Sequence, residues 1–389
     1  MAKKTSKKNI LKNLTIKNFR CFENFHLKDL KRVNIFVGDN NSGKSSVLEA
    51  VGFLSPSLKD HFRIMGSRRV VLGDFNILKN YSTILNFAIS MAQFFSLFFK
   101  KISANIIEIN AEFEGDKTQS DLKKLELKIF KSDKIEKFIE NNEKLKPISE
   151  DEKSIEAESL LWEYKFNNQK NSQKIGFSSL GTYDSAIKNF NDYQVIFLAD
   201  ETPSNREIID KWSKLKELAN LKESNEIDEK YLKIVQNFEK DLKKIELISN
   251  FDLAFRKNDF TVYLEDLGNG FKKFFDILLT IDLASKKNVP TLLCIDEIDN
   301  GLYHDKQDIF WEQLLKLCEE KNIQLFATTH SYEALQSILE CGTKLYPKKG
   351  EFDDVFNISK LIKFENEIKC FRYNQALLNA RIENQMETR

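Results

Sequence analysis

VNIFVGDNNSGKSSV, residues 33–47, joins a short apolar run to a loop of small and polar residues. The loop fits the spacing G-x-x-x-x-G-K-[ST], in which Gly38 and Gly43 are the glycines and Lys44 and Ser45 follow. Glycines let backbone N–H groups turn inward around a phosphate, and the positive end of a following helix points at the same anion. The stretch therefore predicts a strand, a phosphate-binding loop and a helix in succession.

Two side chains of this loop have specific expected roles. Lys44 can reach the β- and γ-phosphates of a nucleotide, and the Ser45 hydroxyl can coordinate Mg²⁺. A glycine-rich turn that merely precedes a helix is the alternative interpretation. The candidate nucleotide-binding residues of the loop are Gly38, Asp39, Asn40, Asn41, Ser42, Gly43, Lys44, Ser45 and Ser46.

A second motif, TLLCIDEIDNGLYH, runs from Thr291 to His304. Its apolar start predicts a buried strand, and Asp296 and Glu297 then lie at the carboxyl end, where open α/β sheets bind ligands. Asp296 can hold Mg²⁺, and Glu297 can orient or deprotonate an attacking water. A solvated acidic loop is the alternative, but the phosphate-binding loop elsewhere in the chain favours a functional role.

A third motif, QLFATTHS at residues 324–331, predicts another buried strand that ends in polar residues. It follows the previous strand end by about thirty residues, which fits a β-α-β crossover. His330 would then lie near the γ-phosphate and hydrogen-bond the phosphate or the water. A lone histidine is otherwise usually structural.

A fourth motif, DLGNGFKKFFDILL from Asp266, opens a long helix with the loop Gly268-Asn269-Gly270. The exposed N–H groups of this helix start could bind the γ-phosphate held by a second copy of the protein. A simple helix-capping turn is the alternative for this motif.

Composition limits the partners of the chain. Its 389 residues carry 60 Lys+Arg against 59 Asp+Glu, so a global attraction to nucleic acid is absent. The basic N-terminus MAKKTSKKNILKN leaves a local nucleic-acid contact open beside the alternative of a solubilising tail. Five cysteines without a C-x-x-C pair suit a reducing cytoplasm, and no signal peptide is visible. The uncharged stretch 81–99 is long enough to span a membrane, but its polar residues favour a buried helix, so we expect no membrane partner.

Hydrophobic periodicity predicts the remaining elements. A helical region after the strand 195–198 is expected to break near residues 222–225. Its apolar stripe comprises Tyr231, Val235, Phe238, Leu242 and Ile245. Further predicted strands are 12–20, 32–37, 105–114, 124–130 and two near 251–267, and the C-terminal part predicts a hairpin and a helix from Gln375.

The four motifs, in this order, resemble those of the ATP-binding-cassette (ABC) ATPases. The resemblance is closer to the chromosome-maintenance and recombination-repair branch, and within it to the OLD-like (overcoming lysogenisation defect) ATPases of bacteria. LTIKNFRCFENFHL before the phosphate loop resembles the start of that branch, and LGNG before Lys272 and Lys273 resembles its signature loop. DEIDNGLYH resembles the Walker B motif and D-loop, and ATTHS the switch histidine.

This resemblance implies an α/β fold, a P-loop ABC-ATPase head with a mixed α/β core, an antiparallel β-lobe and a helical lobe. Residues 1–100 and 250–389 would form the head. Residues 100–250 would be a strand and helix insertion that completes the head or binds a partner.

The resemblance also implies that two heads sandwich two ATP molecules with Mg²⁺. Each site would combine Lys44, Ser45, Asp296, Glu297 and His330 of one chain with Gly268, Asn269 and Gly270 of the other. Three further residues match family positions: Asp299 as the D-loop acid, Arg20 as a nucleotide contact and Gln93 as the glutamine associated with Mg²⁺.

Departures from the family pattern narrow the expected function. The signature loop lacks the usual serine, no long coiled coil is present, and the segment after His330 is too short for the Toprim nuclease domain of OLD proteins. We therefore expect a slow, cytoplasmic ATPase, a homo-oligomer built from head dimers, that controls a separate nuclease or toxin in bacterial antiphage defence. The alternatives are a DNA-binding repair ATPase, a nucleotide-binding scaffold with negligible turnover and, disfavoured by the signature loop, a transporter subunit.

Overall fold

The computed structural model describes residues 11–55, 106–114, 122–130, 160–166, 169–175, 177–178, 181–182, 193–219, 221–249, 252–258, 260–365 and 367–384. The predicted magnesium ligand Gln93 and the uncharged stretch 81–99 lie outside the described residues. Within these ranges, no helix is both long enough and apolar enough to cross a membrane. The chain divides into two compact units. The first comprises Met1–Lys31, Gly38–Ala199 and Ser359–Phe371, and the second comprises Arg32–Val37, Asp200–Ile358 and Arg372–Arg389.

The elements follow one another in a mixed order. The strands are β1 (Leu11–Phe19), β2 (Phe22–Leu27), β3 (Val33–Val37), β4 (Ile106–Glu114), β5 (Leu122–Phe130), β6 (Leu160–Phe166), β7 (Gln169–Ile175), β8 (Phe177–Ser178), β9 (Gly181–Thr182), β10 (Gln194–Leu198), β11 (Lys244–Ser249), β12 (Asp252–Arg256), β13 (Thr261–Tyr263), β14 (Thr291–Ile295), β15 (Ile323–Thr328), β16 (Phe356–Phe364) and β17 (Glu367–Tyr373). The α-helices are α1 (Lys44–Gly52), α2 (Asn205–Glu217), α3 (Leu221–Val235), α4 (Asn269–Ser285), α5 (His304–Glu320), α6 (Tyr332–Leu345), α7 (Glu351–Val355) and α8 (Gln375–Glu383).

An antiparallel sheet with the strand order β2-β1-β4-β5-β6-β7 lies in the first unit. Leu14 of β1 pairs with Leu27 of β2 on one side and with Ala111 of β4 on the other. Along β4, buried and partly exposed residues alternate, so Ile107 and Ile109 point to the core. The strands predicted at 12–20, 105–114 and 124–130 are therefore confirmed within two residues at each end.

Helix α1 also belongs to the first unit and buries its apolar residues there. Val47, Leu48 and Val51 are fully buried. Beyond the end of the helix, the Tyr193 hydroxyl donates a hydrogen bond to the Leu54 carbonyl oxygen at 2.7 Å. This bond ties the chain before β10 to the segment after α1.

Three parallel strands with the order β14-β15-β3 form the centre of the second unit. Ile295 pairs with Ala327, and Ala327 pairs with Ile35, so the three strands are in register. Every residue of these strands is buried. Continuous apolar runs are typical of parallel strands covered on both faces, and their carboxyl ends meet at one edge.

Helix α4 packs on α2 and α3 in the second unit through aromatic rings. Trp212 and Tyr231 lie at 5.7 and 5.6 Å from the Phe275 ring. Two acidic residues of α4 add polar contacts, since Lys211 contacts Asp276 at 2.6 Å and Tyr231 donates to Asp282 at 2.9 Å. These contacts fix the helix whose first residues form the predicted signature loop.

The predicted helical stripe after Tyr231 was partly wrong. All of its residues are buried, but the helix ends at Val235 and Ile245 lies on strand β11. Ile245 pairs there with Phe255, and such tertiary pairing overrides a three- and four-residue repeat. The helical region is interrupted as predicted, but between Glu217 and Leu221 rather than near residues 222–225.

The proposed head and insertion boundaries near residues 100 and 250 stay a prediction. Both compact units are assembled from separate parts of the chain. The C-terminal hairpin of β16 and β17 was predicted, although its expected first residues, 354–355, belong to α7 instead. The helix from Gln375 is confirmed as α8.

Candidate functional site

The phosphate-type loop of the first unit requires both of its glycines. Gly38 has φ +141° and Gly43 has φ +94°, values that residues with a side chain rarely adopt. A Cβ on Gly38 would lie 2.3 Å from the Leu361 carbonyl oxygen, and one on Gly43 would lie 2.8 Å from Cδ1 of Ile368. The β16–β17 hairpin therefore packs directly against the loop, and a methyl group fits at neither glycine.

The side chains of the loop are arranged around its own backbone. Lys44 is buried, and its Nζ donates to the carbonyl oxygens of Gly38 at 2.8 Å and Asp39 at 2.7 Å. Ser42 is also buried, and its Oγ has no hydrogen-bond partner within the described ranges. A buried ammonium group and an unsatisfied hydroxyl in the same loop fit the binding of an anion such as a phosphate. Ser45 and Ser46 remain partly exposed at the start of α1.

Arg20 lies in the turn between β1 and β2 with φ +55°. Its Nε contacts Oε2 of Glu49 on helix α1 at 2.7 Å, and both side chains are little exposed. The ion pair fixes the turn on the helix that follows the phosphate-type loop. The nucleotide contact expected of Arg20 stays a prediction.

In the second unit, a threonine links the two acidic residues that follow β14. The Thr328 hydroxyl donates to Oδ1 of Asp296 at 2.6 Å and accepts from the Glu297 backbone N–H at 2.7 Å. Asp296 is only 2% exposed, so its carboxylate depends on such partners. Sequence reasoning missed Thr328, although it is the first polar residue after the apolar start of the ATTHS motif.

Glu297 is held in an uncommon conformation. Its backbone has φ +44°, and its carbonyl oxygen accepts a hydrogen bond from the buried Lys273 Nζ. Burial raises the pKa of the Glu297 carboxyl, and the negative charge and hydrogen bond of Asp200 raise it further. Burial lowers the pKa of Lys273, while the nearby carboxylates oppose that shift. A non-glycine residue with positive φ costs free energy and is frequent at functional sites.

Asp299 and His330 lie near each other in the second unit. Burial raises the pKa of Asp299, whereas a hydrogen bond from Thr329 and the charges of Lys273 and His330 act in the opposite direction. One carboxylate oxygen of Asp299 is buried without a hydrogen-bond partner among the described residues. Asp299 thus contacts groups of its own chain, next to the predicted switch histidine.

The predicted signature loop contacts the predicted D-loop within the same unit. A Cβ on Gly270 would lie 2.3 Å from the Gly301 carbonyl oxygen, so the two backbones touch. Gly268 caps α4 and has open space around its Cα, since a Cβ there would meet no described atom within 4 Å. The start of α4 is therefore packed on one side and free at Gly268.

Asp200 is a second residue near Glu297 that the sequence analysis did not identify. Asn300 donates from its Nδ2 to Oδ1 of Asp200 at 2.7 Å. The signal was present in the sequence, because VIFLADE at residues 195–201 is an apolar strand that runs into acidic residues, as the strand before Asp296 does. Across the described ranges, no cluster of three or more His, Cys, Asp or Glu side chains could hold a metal ion by itself.

Comparison with known proteins identifies a family. The family model described as "AAA domain, putative AbiEii toxin, Type IV TA system" matches residues 33–336. An ATP/GTP phosphatase of Helicobacter pylori is 23% identical over 356 residues, which cover 84% of this chain and 87% of that protein. The DNA replication and repair protein RecF of Lachnoclostridium phytofermentans is 46% identical over 52 residues, which cover 13% of this chain and 14% of RecF.

A solved structure of an SMC head bound to the C-terminal winged-helix domain of ScpA is similar in fold. It superimposes with a TM-score of 0.51 at 12% sequence identity and covers 94% of this chain and 97% of that one. The predicted P-loop ATPase fold with mixed α/β sheets, similar to an SMC head, is therefore confirmed.

Proposed function

The chain belongs to the AAA-domain family whose model it matches and is an ATPase of the ABC type, and we propose that it acts as an ATP-dependent switch. Two copies would close on two ATP molecules and control a separate effector protein, a nuclease or a toxin, in bacterial antiphage defence. Hydrolysis to ADP and phosphate would open the pair again.

One observation carries the catalytic part of this proposal. Within the second unit, three parallel strands in register end at one edge, with Phe36 opposite Thr328 and Ile295 opposite Ala327. In the sequence, the phosphate-type loop directly follows β3, and Asp296 and Glu297 directly follow β14. Ligands of open α/β sheets bind at the carboxyl ends of the strands, and we therefore propose that these residues act on one nucleotide.

We propose distinct roles for the loop residues in binding. Lys44 exchanges its contacts with loop carbonyl oxygens for contacts with phosphate oxygens, and the unsatisfied Ser42 hydroxyl gains a partner. Mg²⁺ bound with the nucleotide would neutralise charge that develops on the phosphates, and Ser45 and Asp296 are its proposed ligands together with Gln93. These donor types, a hydroxyl and carboxyl or amide oxygens, fit this ion.

Glu297 is the proposed base or water-orienting group. A carboxyl whose pKa is raised by burial is better matched to proton transfer near neutral pH than an ordinary glutamate. His330 is the proposed partner of the γ-phosphate or the water, and Asp299 lies near it. Thr328 holds the Glu297 backbone and the Asp296 side chain in place.

The shared site rests on the start of α4. Gly268 faces open space, and its helix start lacks a side-chain cap, which suits contact with the γ-phosphate held by a second copy. Asn269 and Gly270 would complete that contact, and the packing of Gly270 on Gly301 links the loop to the segment that carries Asp299. A homo-oligomer built from such pairs is therefore proposed.

The defence role is supported by the family description, which refers to the AbiEii toxin and a type IV toxin–antitoxin system. A protein partner is in keeping with the similar SMC head, which was solved in complex with part of ScpA. The test is phage challenge of the native host with the wild-type protein, Lys44→Ala and Glu297→Gln. Both variants should lose protection. Unchanged protection by Lys44→Ala would refute the proposed switch. If Lys44→Ala abolishes protection and Glu297→Gln does not, the protein is a nucleotide sensor that works without turnover.

A second candidate, a DNA-binding repair ATPase, is favoured by the similarity to a segment of RecF. This function predicts DNA affinity that falls with salt and DNA-stimulated ATP hydrolysis. Affinity isolation of Glu297→Gln from the native host with Mg²⁺ and ATP separates the two candidates. A stoichiometric nuclease or toxin supports the switch, whereas DNA retained without a protein partner supports repair.

A further inference from the structure

Asp200 lies next to two residues, Glu297 and Asn300, that are far from it in the sequence. Its Oδ1 accepts a hydrogen bond from Asn300 Nδ2 at 2.7 Å, across one hundred positions of the chain. Its carboxyl group also lies within hydrogen-bond reach of the Glu297 carboxyl group, so a proton on either one joins the two side chains. Asp200 and Glu297 are partly exposed and Asn300 is exposed, so this chain of contacts lies at the surface of the second unit.

Two carboxyl groups in contact need a specific reason to stay together, because like charges repel. Lys273 provides part of it. The side chain is 5% exposed, lies within electrostatic range of Asp200 and Glu297, and donates to the Glu297 carbonyl oxygen. Glu297 is thus held at its backbone by Lys273 and at its carboxyl by Asp200, while Asn300 holds Asp200.

The backbone of Glu297 makes such support necessary. Its positive φ is a sparsely populated conformation that persists only when surrounding groups fix it. Thr328 fixes the Glu297 N–H and Lys273 fixes its carbonyl oxygen, so the main chain is determined on both sides. These two contacts do not reach the Glu297 carboxyl group, and Asp200 lies beside that group.

We propose that Asp200 is a positioning residue for Glu297, which it orients through the hydrogen-bond chain from Asn300. This inference rests on the proposed role of Glu297 in hydrolysis. Asp200 itself contacts neither nucleotide nor water in this role. Its contribution is to reduce the number of orientations from which Glu297 must reach the attacking water.

The test is steady-state ATP hydrolysis by Asp200→Ala, Asp200→Asn and the control Glu201→Ala, which removes the neighbouring exposed carboxylate. Asp200→Ala should lower kcat by about 10- to 100-fold, the range that a small misplacement of a reacting group can cost. KM for ATP and the melting temperature should stay near the wild-type values. Asp200→Asn should recover most of the activity, because its amide oxygen accepts from Asn300 and its amide N–H donates to Glu297. Glu201→Ala should behave as wild type.

The same substitution in a Glu297→Gln background shows whether Asp200 acts through Glu297. If it does, Asp200→Ala/Glu297→Gln should turn over no more slowly than Glu297→Gln alone. If Asp200→Ala lowers the turnover of Glu297→Gln by the same factor as it lowers that of the wild type, the inference is overturned. Asp200 would then act directly on the metal or nucleotide. Unchanged or raised kcat in Asp200→Ala alone would also overturn it but would leave the role of Glu297 intact. Full activity of Glu297→Gln would instead refute the proposed function itself.

Discussion

The two glycines that flank Asn269 should respond differently to the same methyl group. In Gly270→Ala, the new Cβ would lie 2.3 Å from the Gly301 carbonyl oxygen and 3.2 Å from the Leu302 Cα, both backbone atoms that cannot rotate away. Such overpacking costs about 1–3 kcal/mol, and alanine regains at most about 1 kcal/mol of helix propensity. At the upper end, the net destabilisation is therefore about 2 kcal/mol, which lowers the melting temperature by about 4–8 °C in a unit of this size.

Gly268→Ala is the matched control for stability. Its Cβ would meet no atom within 4 Å, and its backbone angles, φ −59° and ψ 151°, suit any residue. The melting temperature should stay within about 2 °C of the wild type. Turnover should nevertheless fall by about tenfold or more, because the methyl group enters the surface proposed to meet the phosphate of a second copy.

Differential scanning fluorimetry and an ATPase assay on the same preparations measure both effects. The expected pattern is a less stable Gly270→Ala and a Gly268→Ala variant with wild-type stability but reduced turnover. If both variants have the melting temperature of the wild type, Gly270 and Gly301 are not in close contact. If Gly268→Ala keeps full turnover, this loop does not meet the nucleotide.

Three further substitutions test the separate parts of the site. Lys44→Ala should weaken ATP binding by about 10- to 150-fold, the value of a charge-assisted hydrogen bond; calorimetry with unchanged affinity would contradict the role of the loop. Thr328→Val removes the hydroxyl that donates to the buried Asp296 carboxylate and accepts from the Glu297 N–H, so it should cost about 1–3 kcal/mol in urea unfolding and also lower kcat. Wild-type values of both quantities would refute the role of Thr328. Burial raises the pKa of Asp299 above its ordinary 3.8, so ionised Asp299 destabilises the folded chain at neutral pH. This cost decreases as the pH falls below the raised folded pKa, and it is gone once the pH lies below 3.8. The melting temperature of Asp299→Asn should therefore be higher than that of the wild type at pH 7.5, and the difference should shrink as the pH is lowered. A difference that does not change with pH would contradict the raised pKa of Asp299.

The sequence predicted the parts of the fold that depend on neighbouring residues. The apolar runs that became β3, β14 and β15 were identifiable because parallel strands buried on both faces need continuous apolar residues. The loop spacing likewise located Gly38 and Gly43, whose positive φ values explain why only glycine suits them. Local chemistry was sufficient at these places.

Features that depend on distant pairing could not be predicted. Ile245 continued a helical repeat in the sequence but pairs with Phe255 in a strand, a choice that only the tertiary structure makes. Thr328 became part of the site because β15 lies beside β14, and Asp200 because the chain after β10 reaches Asn300. No spacing rule relates such positions, since the contacts join parts of the chain that are thirty to one hundred residues apart.

The most direct measurement is the molar mass of Glu297→Gln in solution, by light scattering after gel filtration, with and without Mg²⁺ and ATP. This variant should still bind ATP but should no longer activate the attacking water, so the closed pair should accumulate. ATP should therefore raise the molar mass from that of the 45.4 kDa chain to twice that value. Adding Gly268→Ala to this variant should prevent the increase, because the trap depends on the start of α4. A mass that does not change with ATP, in a protein that still binds ATP, would contradict the shared-site mechanism.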